Sequence, residues 1–312
     1  MRFLRFLTEN RYAGYALFAV LLVALGLFLH RSVSQVGALD LDVLSLPSII
    51  VALILIMLAY VNRFVFWTVL TMAFGLRSGT IRAARAFFLS LLGRYIPGKA
   101  GLFLFRLRAY SGGTRGRVGA SLLTEYLATS LAACFLVVFG TLFIPVESIL
   151  LTRVLPAAMA ILLSLLLRPG FLKRFLNRLL AFLGKQPLAE IPPAPVLVKV
   201  TLGYILTGLL HGAGFFMLLR ASGQAGWEMY PVVTGAYYMA GLIGMFAFFA
   251  PGGLGVREGI VFLILPHFAD MGPVLLSVAV MRLLTITAEL LLTGMAYFPA
   301  AFDEGRSYRH GK

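Results

Sequence analysis

Long apolar runs separated by short polar connectors organise this chain. A helix that crosses a bilayer needs about 20 mostly apolar residues. Runs at 12–29, 47–67, 120–144, 154–167 with its flank, 200–219, 230–249, 256–268 and 273–300 therefore read as eight membrane segments. The run at 256–268 is short and suits a half-helix or re-entrant piece as well as a full crossing. The pattern predicts an all-α polytopic membrane protein, one transmembrane domain over 1–302 and a short tail at 303–312. The first run follows Arg2, Arg5 and Arg11, and Val36-Gly37-Ala38 imitates a signal-peptide cleavage site. It exceeds the about 7–15 apolar residues of a signal peptide and reads as a retained first helix. Two further stretches mix charge with apolar residues at helical spacing: 80–92, with Arg82 and Arg85 among Phe87, Phe88, Leu89, Leu91 and Leu92, and the neighbourhood of 173–178. The first reads as an interfacial amphipathic helix leading into a helix break. The second reads equally as a helix on anionic head groups or as a solvated connector.

Helical periodicity is broken twice by one device. Pro97-Gly98-Lys99-Ala100-Gly101 returns as Pro251-Gly252-Gly253-Leu254-Gly255. Proline removes a backbone donor and clashes with the preceding turn, and glycine loses the most entropy on becoming helical. Arg94, Lys99 and Arg106 surround the first break, and Arg257 and Glu258 follow the second. Broken backbone survives at membrane depth only where protein buries it or it lines a watery cavity. The breaks are thus either tight interfacial turns or the walls of an internal polar site. Their matched form predicts two related halves that bring the breaks together from the cytoplasmic side. A helix starting at Val256-Arg257-Glu258-Gly259 would aim amide donors at an anion.

Composition agrees: 60% of the 312 residues are hydrophobic and 12% are charged, against about half and a quarter in soluble domains. A net charge of +15 would suggest nucleic acid in a soluble protein. Here the cations lie between apolar spans, so the positive-inside rule accounts for them and no nucleic-acid partner is expected. Arg2, Arg5 and Arg11, the set from Arg77 to Arg117, then Arg168 to Lys185, and Arg306, Arg309 and Lys312 fall on one side. Both termini are therefore expected in the cytoplasm, with the chain in the cytoplasmic (inner) membrane. Cys134 is the single cysteine, so no intrachain disulfide forms, and four scattered histidines lack metal-ligand spacing. No P-loop, dinucleotide fingerprint, zinc-protease helix or nucleophile elbow occurs, so neither cofactor, metal nor catalytic residue is assigned.

Arg63, Glu125, Arg282 and Glu289 fall inside or near predicted spans. Intramembrane charges are costly and usually face a partner in the protein interior. Glu289 lies seven residues beyond Arg282, two turns along one helical face. Either a Glu125–Arg282 pair or an Arg282–Glu289-linked network would neutralise charge and leave donors for an anionic head group. A purely structural ion pair is the plainer alternative. Arg63, ahead of Phe64, Phe66 and Trp67, ranks lower because it could reach the cytoplasmic interface. His211 reads as a helix–helix hydrogen-bonding residue.

The run Leu92-Gly93-Arg94-Tyr95-Ile96-Pro97-Gly98-Lys99, then Glu125, the nine residues from Pro251 to Gly259, and Arg282 together resemble the lysylphosphatidylglycerol synthase transmembrane-region family of flippase-like membrane proteins. The resemblance covers roughly 12–300, with Leu102 where many members carry an acid and Tyr126 where many carry arginine. It implies translocation of a polar-headed lipid with an anionic or phosphate-bearing head group. The implied pathway comprises Arg94, Pro97, Gly98, Lys99, Gly101, Arg106, Glu125, Pro251, Gly252, Gly253, Gly255, Arg257, Glu258, Arg282 and Glu289. The full-length synthases add a cytosolic aminoacyl-transferase domain; the chain ends at Lys312, so that activity is not implied. A separate lipid-modifying enzyme is a conceivable partner. The alternatives are a membrane-embedded enzyme, or enzyme subunit, acting on a lipid-linked sugar, and a scaffold docking a cytosolic enzyme on the basic face.

Overall fold

Among the described residues four helices are long and apolar enough to cross a membrane: Leu46–Ala73 (α1), Arg115–Thr141 (α4), Ala194–Ala221 (α7) and the stretch Gly272–Tyr297. The computed structural model describes residues 44–93, 100–110, 114–142, 149–223, 225–246, 259–261, 264–265 and 270–307. Between the long helices lie Thr80–Leu92 (α2), Ala100–Leu107 (α3), Leu155–Leu166 (α5), Pro169–Phe182 (α6) and Tyr230–Phe246 (α8); α9 is Met271–Ser307. No strand occurs among the described residues. A π-helical turn, Leu150–Val154, leads into α5.

These residues form spans because most positions around each helix are apolar. Along α1, Ala52, Ile56, Ala59, Tyr60, Trp67, Leu70 and Thr71 are buried at helical spacing. On its other faces Ile50, Ile54, Leu58, Val61 and Val65 are exposed. A helix apolar over most of its surface suits lipid on one side and protein on the other. Pro47 stands in the first turn, where its missing donor costs nothing. The chain is thus a multi-pass membrane protein in its helix composition.

The described residues supply four crossings, or five when the bent pair of α5 and α6 is taken as one, against the eight segments expected from sequence. The 12–29 segment lies outside the described residues, and 256–268 is described only at 259–261 and 264–265. The 154–167 segment departs for a physical reason: Arg168 precedes Pro169, takes an extended conformation (ψ 131°) and lets α6 turn away by 82°. At the far end α9 continues as helix to Ser307, past the expected start of the tail.

The stretch at 80–92 is amphipathic, but its apolar face meets protein. Ala83, Ala86, Phe87, Phe88, Leu91 and Leu92 of α2 are all buried. The helix packs on α9 and α3, and Arg85 donates from Nε to the Ala296 carbonyl at 3.0 Å. The apolar face of α2 is therefore covered by protein. Helices α2 and α3 lie against each other on either side of the first break. A Cβ on Gly93 would stand 2.6 Å from the Gly101 carbonyl carbon, so only glycine allows this approach. At 13 and 8 residues, neither arm crosses a hydrocarbon core of about 30 Å.

Close backbone approach recurs between α4 and α8, where a Cβ on Gly140 would lie 2.8 Å from Gly235 Cα. Small residues let spanning helices gain dispersion contacts where no hydrophobic drive separates protein from lipid. Arg153 closes the same end of α4, donating from Nε and Nη2 to the Thr141 carbonyl at 3.2 and 2.8 Å. We expect Gly140→Val and Gly93→Ala each to cost about 1–3 kcal/mol, the usual penalty of overpacking. Gly294→Ala, where an added Cβ meets nothing within 4 Å, should leave the unfolding midpoint in detergent unchanged or raised.

Candidate functional site

One face of α1 carries the polar centre of the bundle. Tyr60, Arg63 and Trp67 follow at i, i+3 and i+7, so their side chains stack along one side of the helix. Arg63 donates to Glu125 Oε1 from Nε at 3.1 Å and from Nη2 at 2.9 Å. Arg106 reaches the same carboxylate from α3, through Nη1 to Oε2 and through Nη2 to Oε1 at 3.4 Å. Its Nε donates to Ser90 Oγ at 3.0 Å, and Ser90 Oγ donates to the Phe87 carbonyl at 2.6 Å. The guanidinium carbon lies 5.0 Å from the Trp67 ring centre and 4.8 Å from that of Phe87, a cation–π arrangement strengthened by desolvation. Arg106 and Glu125 are each 1% exposed, and the Arg63 side chain is 21% exposed. Two arginines on one carboxylate leave one net positive charge.

One turn back along α1, Tyr60 donates to Glu289 Oε1 of α9 at 2.5 Å. The His211 ring meets Tyr60 edge to face at 5.0 Å, and its Nδ1 lies 3.2 Å from the Thr207 carbonyl. Asn62 donates to the Gly203 carbonyl at 2.7 Å and to Thr207 Oγ1 at 2.8 Å. Three helices, α1, α7 and α9, thus meet through polar side chains. Glu289 is fully buried.

Arg282, two turns before Glu289 on α9, lines a cavity of about 30 Å³ together with Phe215, Tyr237, Ala240, Val261, Val278 and Thr285. That space holds a water or two. Val261 comes from the segment after the second break, so the chain downstream of each break reaches a buried arginine or its surroundings. Arg106 does so after the first.

Of the sequence-derived site residues, Gly101, Arg106, Glu125, Arg282 and Glu289 are described and buried. Arg94, Pro97, Gly98, Lys99, Pro251, Gly252, Gly253, Gly255, Arg257 and Glu258 lie outside the described residues. Among the described residues Glu125 pairs with Arg63 and Arg106, not with Arg282. Arg63 turns inward instead of reaching for the interface, because a carboxylate on the neighbouring helix offers two hydrogen bonds. Tyr60 and Ser90 were missed in sequence; the signal available for Tyr60 was a lone hydroxyl-bearing ring in an aliphatic run. His211 was expected to hydrogen-bond across helices; its ring meets Tyr60 of α1 edge to face, and its Nδ1 approaches the Thr207 carbonyl of its own helix.

No family model and no curated protein matches the chain, so the family resemblance remains an expectation from its motifs. The charge cluster makes its own test. Removing one member of a buried ion pair typically costs about 3–5 kcal/mol, because the remaining charge is stranded. Glu125→Ala should therefore lower the unfolding midpoint in detergent sharply. Arg106→Lys should also destabilise, since an ammonium cannot span both carboxylate oxygens and Ser90 while lying between two rings.

Proposed function

We propose that the chain translocates a polar-headed lipid, carrying an anionic or phosphate-bearing head group, through the interior of its helix bundle while the acyl chains stay in the bilayer. The observation that carries this reading is the net positive charge buried where Arg63 and Arg106 share Glu125; Arg282, on another helix, lines a cavity. A stable core does not need such groups, since well-packed apolar residues of similar volume often serve as well or better. Arginine suits phosphate because its planar fork donates two parallel hydrogen bonds. Helix interruptions that bring charge to membrane depth are a recurrent way of building transport sites. The Pro-Gly-x-x-Gly sequences that precede Arg106 and Val261 suit that design, as does the motif resemblance. We place the protein in the cytoplasmic membrane with both termini inside, on the distribution of Lys and Arg.

The cavity at Arg282, about 30 Å³, fits water and not a head group. Translocation on this reading requires the helices to part.

The test is movement of fluorescent phosphatidylglycerol between leaflets of phosphatidylcholine vesicles holding the purified protein. Wild type should speed transfer and return the lipid chemically unchanged. Arg282→Ala should slow transfer about 10–100-fold, the value of a lost charged hydrogen bond of about 1.5–3 kcal/mol. Arg282→Lys should recover little of it if the fork is what matters. A chemically altered lipid would favour the enzyme reading. Undiminished transfer in a folded Arg282→Ala protein would remove Arg282 from the pathway.

A further inference from the structure

Two of the cavities open to the outside of the described helices. Two open apolar grooves, of about 380 and 360 Å³, meet at Phe135, Ser164 and Arg168, which line both. One runs along α4 and α5 from Arg168 to Ala157. The other runs between α4, α5 and the start of α7, from Ala194 to Ile205. Each covers eleven helical steps, about 16 Å at 1.5 Å per residue, close to the half-thickness of a hydrocarbon core of about 30 Å. Two grooves of one leaflet's depth diverge from one arginine.

We propose that this surface binds one anionic phospholipid, an acyl chain in each groove and its phosphate on Arg168. Charge complementarity selects the occupant. The sequence from 168 to 199 holds Arg168, Lys173, Arg174, Arg178, Lys185 and Lys199 against Glu190 as its one acidic residue. Arg168 is exposed, and its guanidinium makes no hydrogen bond or ion pair with another described residue. Its position is fixed by the backbone: its carbonyl accepts from Leu172 N–H at 2.9 Å at the elbow between α5 and α6. The elbow is held in turn by buried Leu172, Leu176 and Leu180. Lys173 donates to the Ala189 carbonyl at 2.7 Å, and the Leu188 N–H donates to Asn177 Oδ1 at 2.7 Å. Meanwhile Phe171, Phe175 and Phe182 stay exposed on α6, as on a helix lying along a membrane surface. The site does not depend on any lipid being moved.

Native mass spectrometry of the full chain, released from phosphatidylcholine vesicles containing a minor fraction of phosphatidylglycerol, tests it. Wild type should retain one phosphatidylglycerol well above its bulk proportion. Arg168→Ala should cut that enrichment about tenfold, and Ser164→Trp, which fills the junction of the grooves, should displace the lipid with Arg168 intact. Both positions are exposed, and an unchanged unfolding midpoint would verify folding. Arg178→Ala, an exposed cation outside both grooves, should leave enrichment in place. Retention in bulk proportion, enrichment that survives both groove variants, or an equal loss in Arg178→Ala would overturn the proposal.

Discussion

The structure depends on how charge is held at membrane depth. A carboxylate or guanidinium in hydrocarbon is tolerated only when partners surround it, and Glu125 is that partner for two arginines at once. Arg63 comes from α1, Arg106 from α3, and Ser90 of α2 completes the set. One carboxylate therefore fixes four helices relative to one another. The rings of Trp67 and Phe87 around Arg106 exclude water, which strengthens each interaction and raises the penalty for leaving any unmade.

That constraint explains why the short helices are so well packed. Neither α2 nor α3 is long enough to be held by the bilayer, so their position must come from side chains. The contact of Gly93 with Gly101 draws the arms together, which brings Ser90 within reach of Arg106. The same economy appears between α4 and α8, where Gly140 and Gly235 let backbones touch. In lipid, close packing and hydrogen bonds do the work that apolar burial does in water.

Polar contacts on α1 divide the interior into two adjoining neighbourhoods. Arg63 belongs to the one with surplus positive charge, and Tyr60, one turn away, belongs to the one around Glu289 and His211. Residues at this spacing lie about 5–6 Å apart at Cβ, so a shift of α1 would disturb both. The exterior has a different chemistry: apolar grooves with cations at one end.

The amino-acid sequence by itself determined the helical class, the membrane environment and the identity of the buried charges. These follow from run length, apolarity and the cost of charge in lipid, which are properties of local composition. Partner choice was decided only by the tertiary structure. Glu125 could have met any arginine that a neighbouring helix delivered, and it met Arg63, which lies 62 residues away. Whether 80–92 faced lipid or protein was likewise open, because an apolar face fits either and its neighbours are set by packing. The bend at Arg168-Pro169 was written locally, but the two grooves around it exist only because α4, α5 and α7 come together in space.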